Sequence, residues 1–173
     1  MTEQELDRAF ADHLVRSQEF CIWVLEQTKF ANLALDAILL YKEQADSKPR
    51  KKPENWWRHW WCRLDDRSES ETDIFAVFGF SDTDKRIALH IEDKPPYGKF
   101  TPNQWVNYSR RGQFMLGKEQ YMNYSDFTTI LLAPNRFHHA NSDKAHYFEC
   151  FISYESVSAF IPDFAMSLND AFN

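Results

Sequence analysis

Two apolar runs separated by a short polar joint restrict the fold more than any other feature of the sequence. Residues 73–80 and 86–94 are rich in β-branched and aromatic side chains, and residues 81–85 between them are polar. Strands of this composition joined over so few residues are typical of a β-hairpin. The sequence therefore predicts an antiparallel pair of strands over residues 73–94.

The register of this hairpin follows if Phe80 pairs with Lys85, and it then places Asp73 opposite Glu92 at the open end. Side chains alternate across a strand, so Lys94 lies on the same face as these two acids. Apolar residues occupy the other face and predict its burial: Ile74, Ala76, Phe78, Phe80, Ile87, Leu89 and Ile91. Directly opposed residues have Cβ atoms about 4.5–5.5 Å apart. The hairpin thus brings two carboxylates and one ammonium group together.

This arrangement of charges suits a metal ion. Two carboxylates at that separation repel each other, and burying them without compensation costs free energy. A hard cation such as Mg²⁺, with oxygen ligands and retained waters, removes the conflict. Lys94 is then placed to stabilise developing negative charge or to orient an attacking water. Asp73, Glu92 and Lys94 are therefore candidate catalytic residues, with Asp73 and Glu92 as ligands of Mg²⁺ or Mn²⁺.

The motif Asp73 followed by Glu92-Asp93-Lys94, an E-x-K on the next strand, resembles the PD-(D/E)xK nuclease superfamily. The runs 70–74, 88–94 and 98–104, with Tyr108, are similar to small bacterial members of it. Thr72 stands where many members have the proline of the motif. The resemblance implies a restriction-endonuclease-like α/β fold with a central mixed β-sheet flanked by helices. It also implies metal-dependent hydrolysis of nucleic-acid phosphodiester bonds, with DNA as the expected substrate, in repair or anti-phage defence.

Further site residues are implied by the same resemblance. The backbone carbonyl of Asp93 is expected to add a metal ligand. An acid on the first helix often completes the metal site in the superfamily, and Asp12 is the matching position, although an exposed surface acid is an equal alternative. Gln104, Tyr108 and Arg111, at i, i+4 and i+7, form a stripe expected to contact nucleic acid. For Gln104 the alternative is a capping box that opens the helix.

The chain is expected to form a single domain over residues 1–173. Four parts are predicted within it: N-terminal helices over 3–45 with the third from about 31 to 44, a proline-bracketed basic loop over 46–55, the catalytic hairpin over 73–94, and a helix with further strands over 101–173. Residues 128–134 predict a buried strand, residues 135–145 a polar loop containing His138 and His139, and residues 147–154 a last strand.

Four tryptophans fall within residues 56–61. One interpretation is an aromatic surface on which bases stack. The other is a set of indoles packed into the core, since burial of aromatic side chains is strongly favourable. We favour the core, with one tryptophan exposed.

Charge and composition limit the function classes. A formal net charge of −6 counts against tight non-specific binding of nucleic acid. Two local groups of basic residues are candidate surfaces for nucleic acid instead. One contains Lys48, Arg50, Lys51, Lys52, Arg58 and Arg63, and the other contains Arg110, Arg111 and Lys118. The three widely spaced cysteines predict neither disulfides nor zinc. With no apolar run of about 20 residues, the sequence favours a cytoplasmic protein that does not bind membranes.

Two other classes of protein stay open on the sequence alone. The first is a catalytically inactive nuclease-like fold that binds nucleic acid or protein. The second is an unrelated α/β interaction domain in which E-x-K occurs by chance. A homodimer is a hypothesis, because cutting both strands of a duplex calls for two active sites.

Overall fold

A computed structural model describes residues 1–48 and 53–170. The chain forms an α/β structure around a five-stranded mixed β-sheet with helices on both faces. Within the described ranges the strands are β1 (Ile38–Leu39), β2 (Cys62–Arg63), β3 (Glu69–Ser70), β4 (Ile74–Phe80), β5 (Thr83–Asp93), β6 (Asp126–Ala133) and β7 (Cys150–Ser153). The α-helices are α1 (Glu3–Arg16), α2 (Gln18–Glu26), α3 (Tyr41–Ser47), α4 (Gln104–Met115), α5 (Asn135–Ala140), α6 (Ser142–Ala145), α7 (Tyr154–Val157) and α8 (Pro162–Asp170).

The central sheet has the strand order β1-β4-β5-β6-β7. The β1–β4 and β4–β5 pairs are antiparallel, whereas the β5–β6 and β6–β7 pairs are parallel. Helix α4 makes the crossover that a parallel β5–β6 pair requires. Strands β2 and β3 form a separate antiparallel ribbon. The α/β class with a mixed sheet flanked by helices is thus the predicted one.

The β4–β5 hairpin has the predicted register over most of its length, beginning with the Ile74–Ile91 pair. At the turn the register shifts, and Phe80 pairs with Thr83 instead of Lys85. The predicted turn over 81–85 was therefore too long. Only two residues connect the strands, because the irregularity beside Phe80 tightens the tip of the hairpin.

Both faces of this hairpin are buried. The face expected to be apolar packs against α1, α2, α7 and α8, as predicted. On the other face Phe75, Val77 and Ala88 are also buried, in contact with Met115 of α4 and with Tyr124. The crossover helix covers this side of the sheet, which is the usual arrangement for strands next to a parallel pair. The polar side chain of His90 is also buried on this face, with its Nε2 3.1 Å from the Tyr124 hydroxyl.

The predicted third helix, residues 31–44, is wrong as a single element. A 3₁₀ helix spans Ala31–Asp36, and the chain then becomes extended at Ala37, with φ −77° and ψ 132°. Ile38–Leu39 follow as β1, paired with β4 at the edge of the sheet, before α3 begins at Tyr41. Pairing with an available strand edge here outweighs the helical spacing of the apolar residues, because propensity is a weak constraint beside tertiary contacts.

The C-terminal part differs from the prediction mainly in its loops. The strand predicted over 128–134 is confirmed as β6 and ends before Pro134. The polar loop predicted over 135–145 instead contains α5 and α6, and the last strand is shorter than predicted.

In the part of the chain that the structure covers, no helix has both the length and the apolar character needed to cross a lipid bilayer.

The tryptophan-rich segment lies mostly in the core, as favoured from the sequence. Trp56, Trp57 and Trp60 are buried, whereas Trp61 is 53% exposed. Trp60 Nε1 donates a hydrogen bond to the Trp56 carbonyl over 2.8 Å. Three positions of the predicted basic group, Arg50, Lys51 and Lys52, lie outside the described residues.

The contact between α4 and β6 leaves no room for a side chain at Gly112. A Cβ atom there would lie 2.2 Å from Cε2 of Phe127. Overpacking outweighs the helix propensity gained by alanine, so Gly112→Ala should lower the free energy of unfolding by about 1–2 kcal/mol. Urea denaturation measures the change, with the exposed Ser109→Ala on the same helix as control. Equal stability of the Gly112 variant and the wild type would contradict this packing.

Candidate active site

Asp73 and Glu92 meet at the open end of the β4–β5 hairpin, one residue beyond the Ile74–Ile91 pair. Oδ2 of Asp73 accepts a hydrogen bond from the Asp93 amide over 2.9 Å, which ties the segment before β4 to the end of β5. Lys94 Nζ forms an ion pair with Oε1 of Glu92, and both side chains are buried. The structure therefore brings Asp73, Glu92 and Lys94 together.

Several buried carboxylate oxygens near these residues have no hydrogen-bond donor. Within the described ranges, no donor lies in good hydrogen-bond geometry to Oε2 of Glu92, Oδ2 of Asp93 or Oδ1 of Asp7. The Tyr108 hydroxyl nevertheless lies close to Glu92, and Asp7 and Asp93 lie close enough to share a proton. A buried charge without compensation costs several kcal/mol, and proteins usually resolve it with a proton or a cation. The open end of the hairpin is therefore a place where buried acids either bind protons or bind a cation.

Helix α1 supplies two further acids to this centre, and Asp12 is neither of them. Glu3 lies near Lys94 and Glu92, and Asp7 lies near Asp93 and Asp73. The five acids form what we call the carboxylate cluster: Glu3, Asp7, Asp73, Glu92 and Asp93. Lys94 is the ammonium group within it.

The side chain of Asp12 is 42% exposed and lies 3.9 Å from Arg16 in an ion pair. Asp12 lies five positions after Asp7 on the helix, which rotates it about 140° away from the cluster. A sequence signal for Asp7 did exist. It falls in the apolar stripe with Phe10 and Leu14, where a buried acid is unusual.

The pKa values of the cluster reflect its burial. Desolvation, followed by the neighbouring carboxylates, raises the pKa of Asp7 and Asp73 well above the ordinary value. Burial also raises the pKa of Asp93 to about 8. For Lys94, burial alone would lower the pKa, but Glu92 and Asp73 together hold it above its ordinary value. Lys94 therefore stays protonated in the neutral range, whereas part of the cluster binds protons when no cation is present.

Tyr154 is a site residue that the sequence analysis missed. Its hydroxyl donates a 2.5 Å hydrogen bond to Oδ1 of Asp93, from the residue that follows β7. The side chain of Asp93 points toward α1, so its role extends beyond the backbone carbonyl predicted for it. Only the parallel packing of β6 and β7 beside β5 brings Tyr154 and Asp93 together, 61 residues apart in sequence.

The predicted stripe of α4 lies largely inside the protein. Tyr108 and Arg111 are buried, so they do not form the nucleic-acid-contacting surface that their spacing suggested. Oε1 of Gln104 accepts a hydrogen bond from the Thr101 amide over 3.0 Å, which is one of the two bonds of the predicted capping box. The N-cap itself is Asn103, with φ 64°, instead of Thr101. Helix α4 faces the sheet with this stripe because Tyr108 fits beside the ends of β4 and β5.

Stability of the metal-free protein should depend on pH because of this cluster. Carboxyl groups with raised pKa hold protons in the folded protein at pH values where the unfolded chain, with an ordinary value near 3.8, has released them. The free energy of unfolding should therefore fall from about pH 5 to about pH 8, where Asp93 titrates, by up to about 1.4 kcal/mol per pH unit for each such group.

Urea denaturation in EDTA at stepped pH measures this slope. Asp7→Asn removes one of the titrating carboxyls and should flatten the curve, whereas Asp12→Asn should leave it as in the wild type. A stability that is constant or rises across this range would contradict the raised pKa values.

A groove lies elsewhere on the surface. It has a volume of about 760 Å³ and lies beside the turn of the β4–β5 hairpin, with Phe80, Lys85 and Met122 in its lining. Arg86 at its edge is already paired with Glu43 at 2.7 Å. This groove is at the opposite end of the strands from the carboxylate cluster, and its charged groups give no indication of a ligand.

Comparisons of the chain with protein-family models, with curated proteins and with solved structures found no match. Over the described residues, no group of three or more His, Cys, Asp or Glu side chains is arranged to hold a metal ion. The class that the structure defines is thus an α/β protein with a mixed five-stranded sheet and a buried carboxylate cluster at one end of its central hairpin.

Proposed function

We propose that this chain is a metal-dependent nuclease that hydrolyses nucleic-acid phosphodiester bonds, with DNA as the expected substrate. One observation carries the proposal. Asp73, Glu92 and Lys94 lie together at the open end of the hairpin, and the buried carboxylate oxygens around them lack hydrogen-bond donors. Such a centre attracts a hard cation and, through it, a phosphate.

The topology supports the finer proposal of a restriction-endonuclease-like fold. An antiparallel hairpin carries the acids, a crossover helix follows it, and the next strand pairs in parallel with the second strand of the hairpin. This is the order of elements that the resemblance to the PD-(D/E)xK superfamily implies.

The residues present fit Mg²⁺ or Mn²⁺ as the cofactor. Mg²⁺ is commonly held by one or two carboxylates, with waters and substrate phosphate completing the octahedron, so a preformed set of three acidic ligands is not required. Asp73 and Glu92 would hold the ion, with the Asp93 carbonyl as a further oxygen ligand. When bound, such an ion lowers the pKa of a coordinated water and neutralises charge on the phosphate.

Lys94 acts as a cation in this proposal and not as a base. Because Glu92 and Asp73 keep its pKa above the ordinary value, its ammonium group donates hydrogen bonds throughout the neutral range. It would stabilise the negative charge that develops on the phosphate or orient the attacking water. The ion pair with Glu92 also fixes the position of the ammonium group before substrate binds.

Exposure differs among the acids of the cluster. Glu92 is fully buried, whereas Asp73 and Glu3 are partly exposed. A phosphate would therefore approach over Asp73, near the start of α1. In this geometry Glu3 and Asp7 replace Asp12 as the first-helix acids that could join the metal site.

A second candidate is a nuclease-like fold that binds nucleic acid or protein without cleaving it. The complete burial of Glu92, together with the net charge of −6, favours this candidate. It shares the fold with the first proposal, and it differs in predicting no turnover.

A cleavage assay separates the two. Supercoiled plasmid, single-stranded DNA and RNA are each incubated with the protein in Mg²⁺, Mn²⁺ or EDTA, and Mn²⁺ binding is measured by calorimetry in parallel. Cleavage that needs the metal supports the nuclease and identifies its substrate. Mn²⁺ binding without cleavage of any substrate favours the binding module, and the absence of both would contradict the metal-dependent proposal.

A further inference from the structure

Arg111 is a buried cation whose contacts do not neutralise its charge. It lies on α4 with 2% of its surface exposed. Its Nε and Nη2 donate to the single hydroxyl oxygen of Ser70, over 3.0 and 2.5 Å. The guanidinium carbon lies 4.3 Å from the centre of the Tyr108 ring. Nη1 is buried and, among the described residues, has no hydrogen-bond partner in good geometry, although the Cys62 thiol lies close to the guanidinium group.

Ser70 and Tyr108 connect Arg111 directly to Asp73. Ser70 ends β3, three residues before Asp73 in the connection to β4. The hydroxyl oxygen of Tyr108 accepts a hydrogen bond from the Asp73 amide over 3.2 Å and donates to the Ile91 carbonyl over 3.3 Å. One guanidinium group therefore holds the segment that precedes Asp73 and the ring that joins Asp73 to β5.

Stability alone does not account for an arginine at this place. Removing an ion from water costs several kcal/mol, and a well-packed apolar side chain often does as well or better. A cation–π contact and hydrogen bonds to one neutral hydroxyl return only part of that cost. What arginine offers in addition is a planar group that fits a hydroxyl with its edge and a ring with its face.

We propose that Arg111 is a positioning residue that clamps Ser70 and Tyr108 and so fixes the carboxylate of Asp73 opposite Glu92. The inference rests on the proposed function, because the purpose of the clamp is to hold the metal-binding geometry. Arg111 itself touches neither metal nor substrate. Residues that orient metal ligands from behind in this way typically contribute a factor of 10–100 to metal affinity.

The test compares two neighbouring arginines. Arg111→Met removes the clamp and keeps an unbranched side chain of helix-forming type. Arg110→Met is the matched control, since Arg110 is exposed and pairs at 2.7 Å with Asp66, in the turn of the β2–β3 ribbon four residues before Ser70. Three quantities are measured for each full-length variant: Tm, the exchange rate of the Asp73 amide hydrogen by NMR in the metal-free protein, and Mn²⁺ affinity by calorimetry.

For Arg111→Met we expect a Tm within about 3 °C of the wild type or higher, at least tenfold faster exchange of the Asp73 amide, and Mn²⁺ affinity lower by about 10- to 100-fold. Amides of β6 should exchange as before, and Arg110→Met should resemble the wild type throughout. A residue with a purely structural role would lower Tm and speed exchange across the whole sheet, which would overturn the proposal.

Ser70→Ala tests the clamp from its other end and guards against misfolding of the arginine variant. It should reproduce most of the loss of Mn²⁺ affinity, and the double variant should lose little more, because both changes break one contact. Additive losses, or unchanged exchange at Asp73, would overturn the clamp. If the wild type itself does not bind Mn²⁺, the proposed function is overturned. If the wild type binds Mn²⁺ and the variants bind it with the same affinity, only the clamp is overturned.

Discussion

Lys94→Met is expected to reduce metal-dependent cleavage by about 10²- to 10³-fold, the usual loss when one preorganised electrostatic contact to a transition state is removed. Mn²⁺ binding should persist, because Asp73 and Glu92 stay in place. Initial rates of plasmid or oligonucleotide cleavage at saturating metal measure the effect. A rate unchanged from the wild type would remove Lys94 from the mechanism.

The same substitution should also lower the stability of the metal-free protein. Methionine takes the ammonium group away from the carboxylate cluster, and loss of one partner from a buried ion pair typically costs about 3–5 kcal/mol. Millimolar Mn²⁺ should recover part of this loss, because the ion replaces the missing positive charge. Urea denaturation with EDTA or Mn²⁺ separates the two states.

Lys99→Met is the matched control for both measurements. Lys99 is exposed on the loop that follows β5, so its loss removes the same charge without entering the cluster. Its cleavage rate and its stability should stay close to those of the wild type. Equal losses in both lysine variants would point to net charge as the cause and would contradict a specific role for Lys94.

Glu92→Gln is expected to abolish cleavage together with metal binding. Glu92 is wholly buried at the end of β5, and glutamine keeps its shape while removing the charge that attracts the cation. We expect Mn²⁺ affinity to fall at least about 100-fold. Residues that only orient a metal ligand typically contribute a factor of about 10–100, and loss of a direct ligand should cost at least as much. Calorimetry and single-turnover cleavage measure the two losses.

The first-helix acids provide the comparison for this prediction. Asp7→Asn removes one carboxylate of the cluster and should weaken Mn²⁺ binding, though less than Glu92→Gln. Asp12→Asn should have no effect, since Asp12 is exposed and paired with Arg16. A larger loss from the Asp12 variant than from the Asp7 variant would contradict the position of α1. Retained Mn²⁺ affinity in Glu92→Gln would refute the metal site itself.

Local sequence patterns were sufficient where the interaction partners are close in the chain. The alternation of apolar residues on each side of a short polar joint predicted the β4–β5 hairpin, its register from Ile74–Ile91 upward, and the proximity of Asp73 to Glu92. The burial of three of the four clustered tryptophans also followed from short-range rules. Hairpin register depends on pairing between neighbours in sequence, so no knowledge of the remaining fold was needed.

Spacing alone failed where distant segments compete for one strand or one face. Residues 31–44 have the apolar periodicity of a helix, yet Ile38–Leu39 become the edge strand β1 because the free edge of β4 offers hydrogen bonds there. The spacing of Gln104, Tyr108 and Arg111 correctly predicted one shared face of helix α4. It wrongly predicted that this face is exposed to a ligand. Its burial depends on how α4 packs across the sheet.

The sequence by itself determined the hairpin and the chemistry at its open end: two carboxylates facing each other with a lysine on the same face. Only the tertiary structure decided which other groups surround them. Asp7 from α1 and Tyr154 beyond β7 reach Asp93 through contacts 86 and 61 residues apart in sequence, and Arg111 reaches Ser70 across 41. Such contacts arise from the packing of whole elements, and periodicity within one element carries no information about its distant neighbours.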